Sequence, residues 1–362
     1  MKRTLISFAV LGTILGAVSV QAGGFDRSGQ STSVLFGEGN VVEFTSVKVA
    51  PSVTGTYDAA GAAAGGGVTN TKNAVPSYNM TNIGLRMAVN DDLSIAVIQD
   101  SPVGAEVKWT AGMFSGTSGK VNSSATTMLA NYSVNDNVSI HGGLSSQSIS
   151  AEVAKTGYTL STTTDTSVGY VFGAAYEKPE IAMRVALSYR TKIKHTVTAT
   201  ENSVAVAPME IISPVSINIE FQTGIAEDTL LFGSVRQAKW SQTEVKAPVA
   251  GVLVASGTDA MTYSLGLGRK ITDQWSGALT YGFEKATGKA GTAFGPTDGS
   301  SKIGLGITYT ADKVKVTLGM QKVTMGDTTI ATDLSGFGLG TATTTMSGNT
   351  ALVTAIKIGY KF

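Results

Sequence analysis

The spacers between candidate strands alternate between short and long along the whole chain of 362 residues. Six short spacers, most of them built on Asn and Asp, suit tight hairpins. Seven long spacers are rich in Gly, Ser, Thr and Ala. Thirteen connections join fourteen strands, and alternating turn lengths are typical of membrane-spanning barrels. The short spacers are 90–92, 135–137, 177–180, 226–228, 271–273 and 311–313, and the long ones lie near 55–77, 110–122, 154–163, 198–212, 246–258, 286–300 and 325–349.

Within the candidate strands, apolar and polar residues alternate with a period of two. Val314, Val316 and Leu318 share one face, whereas Lys315 and Thr317 share the other. Such alternation indicates strands with one apolar and one polar face. The sequence therefore predicts an all-β fold, a transmembrane antiparallel β-barrel of about 14 strands with apolar side chains towards lipid. The segment 229–240 does not alternate clearly, and the pattern leaves its orientation open.

The two ends of the chain agree with an exported barrel. Lys2 and Arg3 precede an apolar run and a small-residue site ending at Ala22, which predicts a cleaved signal peptide over 1–22. The last strand ends on Phe362 and resembles the signal that outer-membrane barrels present to the barrel-assembly machinery. We therefore expect a multi-pass protein of the outer membrane of a Gram-negative bacterium. Its expected partners are the membrane lipid and that assembly machinery.

Composition excludes several classes of function. The chain carries 27 Lys and Arg against 26 Asp and Glu, so no excess positive charge favours nucleic acid. It has no Cys and two His residues, which leaves little material for a metal site. No apolar run after residue 20 is long enough for a transmembrane helix. We expect no cofactor, no metal and no nucleic-acid partner.

The stretch 23–40 precedes the first strand and is too irregular to span a membrane. It mixes Phe25, Leu35 and Phe36 with charged residues such as Arg27. Such a segment can fold back into the lumen as a short N-terminal plug, with these four residues as candidate substrate contacts. The alternative is a frayed tail. The expected organisation is a signal peptide (1–22), a plug or hatch (23–40) and a barrel (41–362).

A break is expected in the third strand. Its candidate residues are Asp100, Ser101, Pro102, Val103 and Gly104. Proline cannot donate a ladder hydrogen bond, and glycine tolerates a bulge or bend. In a closed barrel such a break opens the wall locally. The alternative is an ordinary turn, which would change the strand count.

Inward basic residues form the third candidate feature. Arg184, Arg190 and Lys192 fall on the polar face of one strand, and Arg236 is a further candidate. A cationic patch in the lumen could hold a carboxylate. The alternative is structural pairing with inward acidic side chains.

The chain also resembles the FadL/TodX family of outer-membrane transport proteins for long-chain fatty acids and hydrocarbons. The resemblance rests on 23–40 and on the segments Gly169–Arg184, Pro214–Gly224, Gly268–Ser276 and Gly295–Gly299. It implies a fourteen-stranded barrel with an N-terminal hatch in the lumen and a kink in the third strand. In that family the kink is a lateral opening for a hydrophobic small-molecule substrate. The resemblance thus implies passive uptake of hydrophobic compounds.

Three other functions are alternatives to the uptake of hydrophobic compounds. A general diffusion porin for small hydrophilic solutes would need an open aqueous lumen, which a plug opposes. An outer-membrane hydrolase would need a nucleophile, a base and an acid in one place, but His141 and His195 are expected near opposite rims. No Gly-x-Ser-x-Gly motif is present, so we predict that the chain is not an enzyme. A structural or adhesive barrel is the remaining alternative.

Overall fold

The structure is a computed structural model that describes residues 25–255 and 258–362. The predicted signal peptide, 1–22, and the first two residues of the predicted plug lie outside the described residues. The first strands are β1 (Val41–Ser52), β2 (Gly55–Tyr57), β3 (Tyr78–Ala88), β4 (Leu93–Asp100), β5 (Gly104–Lys108), β6 (Ser118–Ser133), β7 (Val138–Lys155), β8 (Tyr158–Thr162) and β9 (Asp165–Lys178). Next come β10 (Met183–Arg190), β11 (Ile193–Glu201), β12 (Val204–Ser213), β13 (Ser216–Ala226), β14 (Thr229–Ala238), β15 (Glu244–Ala247) and β16 (Gly251–Ala255). The last are β17 (Ala260–Lys270), β18 (Trp275–Glu284), β19 (Ser300–Ala311), β20 (Val314–Met325), β21 (Thr328–Asp333), β22 (Thr341–Met346) and β23 (Thr350–Lys361).

Helices are few and short. One α-helix, α1 (Ala59–Ala64), follows β2, and Asp58 caps it by accepting a hydrogen bond from the Gly61 amide. Among the described residues, no helix has the length and apolar character needed to cross a membrane. Short 3-10 turns occupy Ser33–Phe36, Gly112–Phe114, Pro179–Ile181, Trp240–Gln242 and Ser335–Phe337.

In the described part of the chain, fourteen antiparallel strands form one closed ring. The ring order is β1, β3, β4 with β5, β6, β7, β9, β10, β13, β14, β17, β18, β19, β20 and β23. Because β1 pairs with both β3 and β23, the first and last strands close the ring. The predicted all-β barrel of about 14 strands is therefore confirmed.

Short turns join ring strands at all six predicted places, so these turns define one end of the barrel, the short-turn end. The opposite, long-loop end is more regular than expected. The sequence predicted loops near 154–163 and 198–212, but these stretches are largely strand. They pair with one another, because β8 lies between β7 and β11 and β11 pairs with β12. The sheet is thus extended on this side of the barrel.

The outer face of the ring is apolar. On β19, Ile303 and Leu305 are 60% and 58% exposed, whereas Lys302 and Thr308 on the inner face are buried. The same alternation continues on β9, where Tyr170 and other apolar side chains point outward. A continuous apolar belt of this kind is unfavourable in water and suits the hydrocarbon of a bilayer. The predicted apolar-out, polar-in pattern is confirmed on these strands.

The alternation changes phase between β10 and β11. The sequence predicted Lys192 on the lumen face, and the same period of two places the next residue, Ile193, towards lipid. In the structure Lys192 is exposed, and Ile193 is 7% exposed and packs inside. The two residues between the strands, 191–192, reverse which of the following side chains face outward and which face inward. A strict period of two cannot predict this reversal. On β14, which the pattern left unoriented, Phe232 and Arg236 are buried on the inner face.

The outer face gives a direct test of the membrane-spanning arrangement. Leu305 lies midway along β19 and pairs with Leu279 and Met320. Replacing Leu305→Arg should lower the free energy of unfolding in lipid vesicles by about 2–4 kcal/mol, since a guanidinium at the bilayer centre is poorly solvated. Denaturant titration of the barrel in vesicles measures this change in the free energy of unfolding. The matched change Leu339→Arg, in a loop, should leave the stability unchanged, and equal effects would contradict the assigned outer face.

Candidate functional site

The wall of the barrel is interrupted at the third strand position. β4 ends at Asp100 and β5 begins at Gly104. β4 forms ladders with β3 and β6, whereas within the described residues β5 forms a ladder with β6 and none with β3. The stretch of β3 from Tyr78 to Asn82 pairs with β1 on its other side. The residues 100–104, singled out from the sequence, lie at this wall break.

The N-terminal segment, defined here as residues 25–37, supplies backbone hydrogen bonds at the break. The Arg27 amide donates to the Pro102 carbonyl at 3.0 Å, and the Gly104 amide donates to the Phe25 carbonyl at 2.8 Å. Asp26 and Val103 face each other as an antiparallel bridge pair. The segment therefore acts locally as a short extra strand on the broken wall.

The side chain of Arg27 reaches across both sides of the break. Its Nε donates to the Gly104 carbonyl on β5 at 2.7 Å. Its guanidinium carbon lies 3.5 Å from the ring centroid of Tyr78 on β3, a cation–π geometry. Burial lowers the pKa of the Arg27 guanidinium, and the interactions with Tyr78 and Glu106 oppose that shift. One side chain thus links the two strands that do not pair.

A buried ion pair fixes the next part of the segment. Arg236 on β14 donates from Nε to Asp26 Oδ2 at 2.6 Å and from Nη2 to Oδ1 at 3.1 Å. The same guanidinium donates to Asn218 Oδ1 at 2.7 Å and Gln30 Oε1 at 2.9 Å. Two-point pairing of this kind is among the stronger polar contacts in proteins. Arg236 belongs to the site, with a carboxylate from the segment as its partner.

The middle of the segment contacts inward polar side chains of β10 and β13. Arg190 donates from Nη2 to the Gln30 carbonyl at 3.2 Å, and Asn218 donates to the Gly29 carbonyl at 2.9 Å. Glu220 accepts from the Thr32 amide at 3.2 Å and from the Ser31 hydroxyl. These contacts hold the backbone of the segment to one wall.

The end of the segment is held by apolar contacts. Leu35 is fully buried in a cluster with residues of β4, β6 and β9. Phe36 meets His141 edge-on, with ring centroids 5.6 Å apart, and Arg184 lies 4.8 Å above its ring. Arg86 donates from Nε to the Leu35 carbonyl at 3.0 Å. The wall contacts of 25–37 therefore run from the break to the short-turn side of the lumen.

The structure brings together seven of the eight candidate substrate contacts. They are Phe25, Arg27, Leu35, Phe36, Arg184, Arg190 and Arg236. Lys192 does not join them, because it lies exposed in the break between β10 and β11. Sequence reasoning missed Asn218 and Glu220, although they sit on the polar face of the alternating segment 216–222.

A small cavity lies between the segment and the wall break. It measures about 80 Å³, and its lining includes Arg27, Val34, Met80, Asn82, Asp100 and Lys357. An engineered apolar cavity of about 150 Å³ binds benzene in a well-studied protein. The cavity beside the break has about half that volume, and its lining carries the charged side chains of Arg27, Asp100 and Lys357.

The two histidines lie apart and have different partners. His141 Nε2 lies 2.9 Å from the Ser188 hydroxyl, whereas His195 Nδ1 lies 3.2 Å from Asp165 Oδ2. In the described ranges, no group of three or more His, Cys, Asp or Glu side chains is arranged to hold a metal ion.

The fold is similar to that of several solved channels. A FadL homologue of Pseudomonas aeruginosa aligns with a TM-score of 0.74 and 14% identity, over 97% of this chain and 98% of that chain. The toluene transporter TodX of P. putida aligns at 0.64 and 12% identity, over 97% and 99%. The monoaromatic hydrocarbon channel CymD aligns at 0.61 and 12% identity, over 98% and 99%. No family model and no curated protein sequence matches the chain.

These identities establish the fold alone. The chain has the fold of FadL/TodX-type channels, so the predicted resemblance is confirmed at that level. The similar structures are transport channels and not enzymes.

The Asp26–Arg236 pair predicts how firmly the N-terminal segment is held. Arg236→Gln leaves the Asp26 carboxylate buried without its partner, which should lower the free energy of local opening of 25–37 by about 3–5 kcal/mol. Hydrogen–deuterium exchange of these amides measures it. Arg269→Gln is the matched control, because Arg269 lies on the outer face of β17. Unchanged protection in Arg236→Gln would show that the pair does not hold the segment.

Proposed function

We propose that this chain is an outer-membrane channel for passive uptake of hydrophobic compounds, either long-chain fatty acids or hydrocarbons. The similar structures named above are a FadL homologue and channels for toluene and monoaromatic hydrocarbons. Their fold supports the proposal, and the apolar outer belt supports a location in the outer membrane of a Gram-negative bacterium.

The observation that carries the proposal is the unpaired stretch between β3 and β5. An apolar molecule gains about 25 cal/mol for each Å² of apolar surface that leaves water. A side exit through the wall delivers such a molecule into lipid without passing the aqueous periplasm. The break therefore suits a lateral opening for hydrophobic substrates better than it suits any role for hydrophilic ones.

In this proposal residues 23–40 are a plug, and 41–362 are the barrel that surrounds it. The plug closes the break through Asp26, Arg27 and Ser28, whose hydroxyl donates to Asp100. Since the cavity beside the break is about 80 Å³, we expect substrate passage to require that the plug leave its present contacts. The aromatic and basic side chains of the site are then the proposed substrate contacts, with Lys192 set aside because it is exposed.

The termini support export and assembly. The proposed signal peptide, 1–22, would direct the chain across the inner membrane. Tyr360 and Phe362 are exposed, with ring centroids 6.3 Å apart, at the end of a strand that closes the ring. We propose that the barrel-assembly machinery reads this last strand.

A general diffusion porin is the alternative. It needs a continuous aqueous lumen, whereas here the middle of the barrel is crossed by the N-terminal segment and its polar contacts. Inward charges alone do not favour the porin, because Arg236 and Lys357 are already paired with Asp26 and Glu43.

A reversible lock tests whether the plug must move. The chain has no native cysteine. Asp26 and Val103 are bridge partners flanked by the bonds Arg27–Pro102 and Gly104–Phe25, which is the non-hydrogen-bonded arrangement. In such a pair the Cα atoms lie about 4.5 Å apart, within the range that a disulfide spans. We therefore expect Asp26→Cys with Val103→Cys to form a disulfide that fixes the plug to the wall.

Uptake of a radiolabelled long-chain fatty acid and of radiolabelled toluene is then measured in cells lacking the native protein. The oxidised double variant should reduce uptake to the level of cells without the protein, and reduction should restore it. Each single variant controls for the loss of one side chain. Wild-type uptake by the fully oxidised double variant would refute plug release, and entry of a small sugar without hydrocarbon uptake would favour the porin.

A further inference from the structure

The loop between β18 and β19, residues 285–299 (the lid loop), has a well-defined tip. Thr292 and Gly295 exchange two backbone hydrogen bonds of 3.1 Å, and the Phe294 amide donates to the Thr292 hydroxyl at 3.3 Å. At the base, the Asp298 carboxylate accepts from the Thr287 and Gly288 amides at 2.8 Å each. The turn therefore presents Phe294 at its end on an ordered support.

The lid loop crosses the mouth of the barrel. β18 and β6 stand seven positions apart in a ring of fourteen, so they lie on opposite sides. Nevertheless, the lid loop reaches Trp109, which follows β5. The Nε1 of Trp109 donates to the Ala293 carbonyl of the lid loop at 2.8 Å. A Cβ added to Gly119 on β6 would lie 2.8 Å from Phe294 Cδ1, so the absence of a side chain at Gly119 makes room for the ring. The tip thus reaches the far wall.

The Phe294 ring packs against two separate apolar clusters inside the long-loop end. The first cluster includes Met80, Val107 and Trp109. The second includes Val103, Val121 and Trp240. The space that the ring occupies between them is called here the Phe294 seat.

Both clusters extend to the wall break. In the first, Met80 lies on β3 and Val107 on β5, the two strands that fail to pair. In the second, Val103 lies within the break itself, and Phe25 of the N-terminal segment packs against this cluster. The seat is therefore joined by continuous apolar side chains to the residues that border the break.

We propose that the Phe294 seat is the entry-side binding site of the channel, and that it takes a neutral hydrocarbon with a single aromatic ring. This inference rests on the proposed uptake function. The side chain of phenylalanine is toluene less one hydrogen, so the seat already accommodates a ring of this size between apolar walls. The Phe294 ring of the lid loop occupies the seat in place of a ligand. A ligand binds when the lid loop moves and withdraws this ring.

An internal stand-in weakens ligand binding in proportion to the time that it occupies the seat. A seat free in about one molecule in ten binds about tenfold more weakly than a seat that is always free. Removing the ring should therefore strengthen binding, whereas removing an ordinary contact residue would weaken it. The direction of the change separates the two roles.

The test uses the full barrel in phosphatidylcholine nanodiscs titrated with toluene by calorimetry, with protein-free discs subtracted. Phe294→Ala should lower the Kd for toluene about tenfold. Trp109→Phe keeps an aromatic ring but removes the hydrogen bond to Ala293, and should lower the Kd to a smaller extent. Phe337→Ala is the matched control, because Phe337 lies in another loop and is 82% exposed; it should leave the Kd unchanged.

An unchanged or raised Kd in Phe294→Ala overturns the proposal, as does an equal change in Phe337→Ala. Retention of a heat-modifiable band on gels checks that each variant is folded. Failure of this inference is distinguishable from failure of the proposed function. If wild-type protein mediates toluene uptake in cells while Phe294→Ala binds toluene no more tightly, the channel function stands and the seat does not.

Discussion

The backbone hydrogen bonds of the wall are the constraint on which the rest of this structure depends. In lipid, an unpaired N–H or C=O group finds no water, so a spanning sheet must close on itself. This barrel closes through β1 and β23, but within the described residues no ladder joins β3 to β5, although β3 pairs with β1 and β5 pairs with β6. The N-terminal segment supplies part of what is missing, since Phe25 and Arg27 bond to the backbone of 102–104. A segment that completes the wall in this way is a structural element of the barrel, and in the proposed function it is also the part that moves.

The N-terminal segment and the lid loop, which are the two proposed closures of the lumen, are held by different kinds of contact. The N-terminal segment is held mostly by directional polar contacts, of which the Asp26–Arg236 pair is the clearest. Those contacts define one position for the segment and resist small displacements. The tip of the lid loop is held by the Phe294 ring and by a hydrogen bond from Trp109, and beside the tip the Gly291 amide donates to the Thr329 carbonyl at 2.8 Å. Apolar packing has little directional preference, so we expect a hydrophobic molecule to displace the Phe294 ring more readily than the polar contacts of the N-terminal segment.

The sequence was sufficient to predict the architecture, because in a membrane-spanning barrel the sequence pattern is related to the structure in a simple way. Period-two alternation and alternating turn lengths determine strand number and facing, and the break at Pro102 follows from a missing N–H group. The same reasoning was wrong at 191–192. These two residues lie between β10 and β11, and as a result Lys192 is exposed and Ile193 faces inward. The partners of the N-terminal segment depend on which strands end up across the ring. Phe294 carries no periodic signal at all, because its position is set by a loop that folds across the mouth.

The lengths of β6 and β7 have a consequence for where the barrel meets its surroundings. β7 has 18 residues, and at about 3.4 Å per residue it is about 60 Å long. With a tilt of about 40° such a strand rises about 45 Å, while the apolar band of this type of barrel is about 25 Å tall. The wall on the β6 and β7 side of the break therefore stands well clear of the hydrocarbon, whereas β3, on the other side of the break, has 11 residues. The strand ladder is therefore longer on the β6 side of the break than on the β3 side, so a molecule arriving from outside meets a taller wall on one flank of the break than on the other.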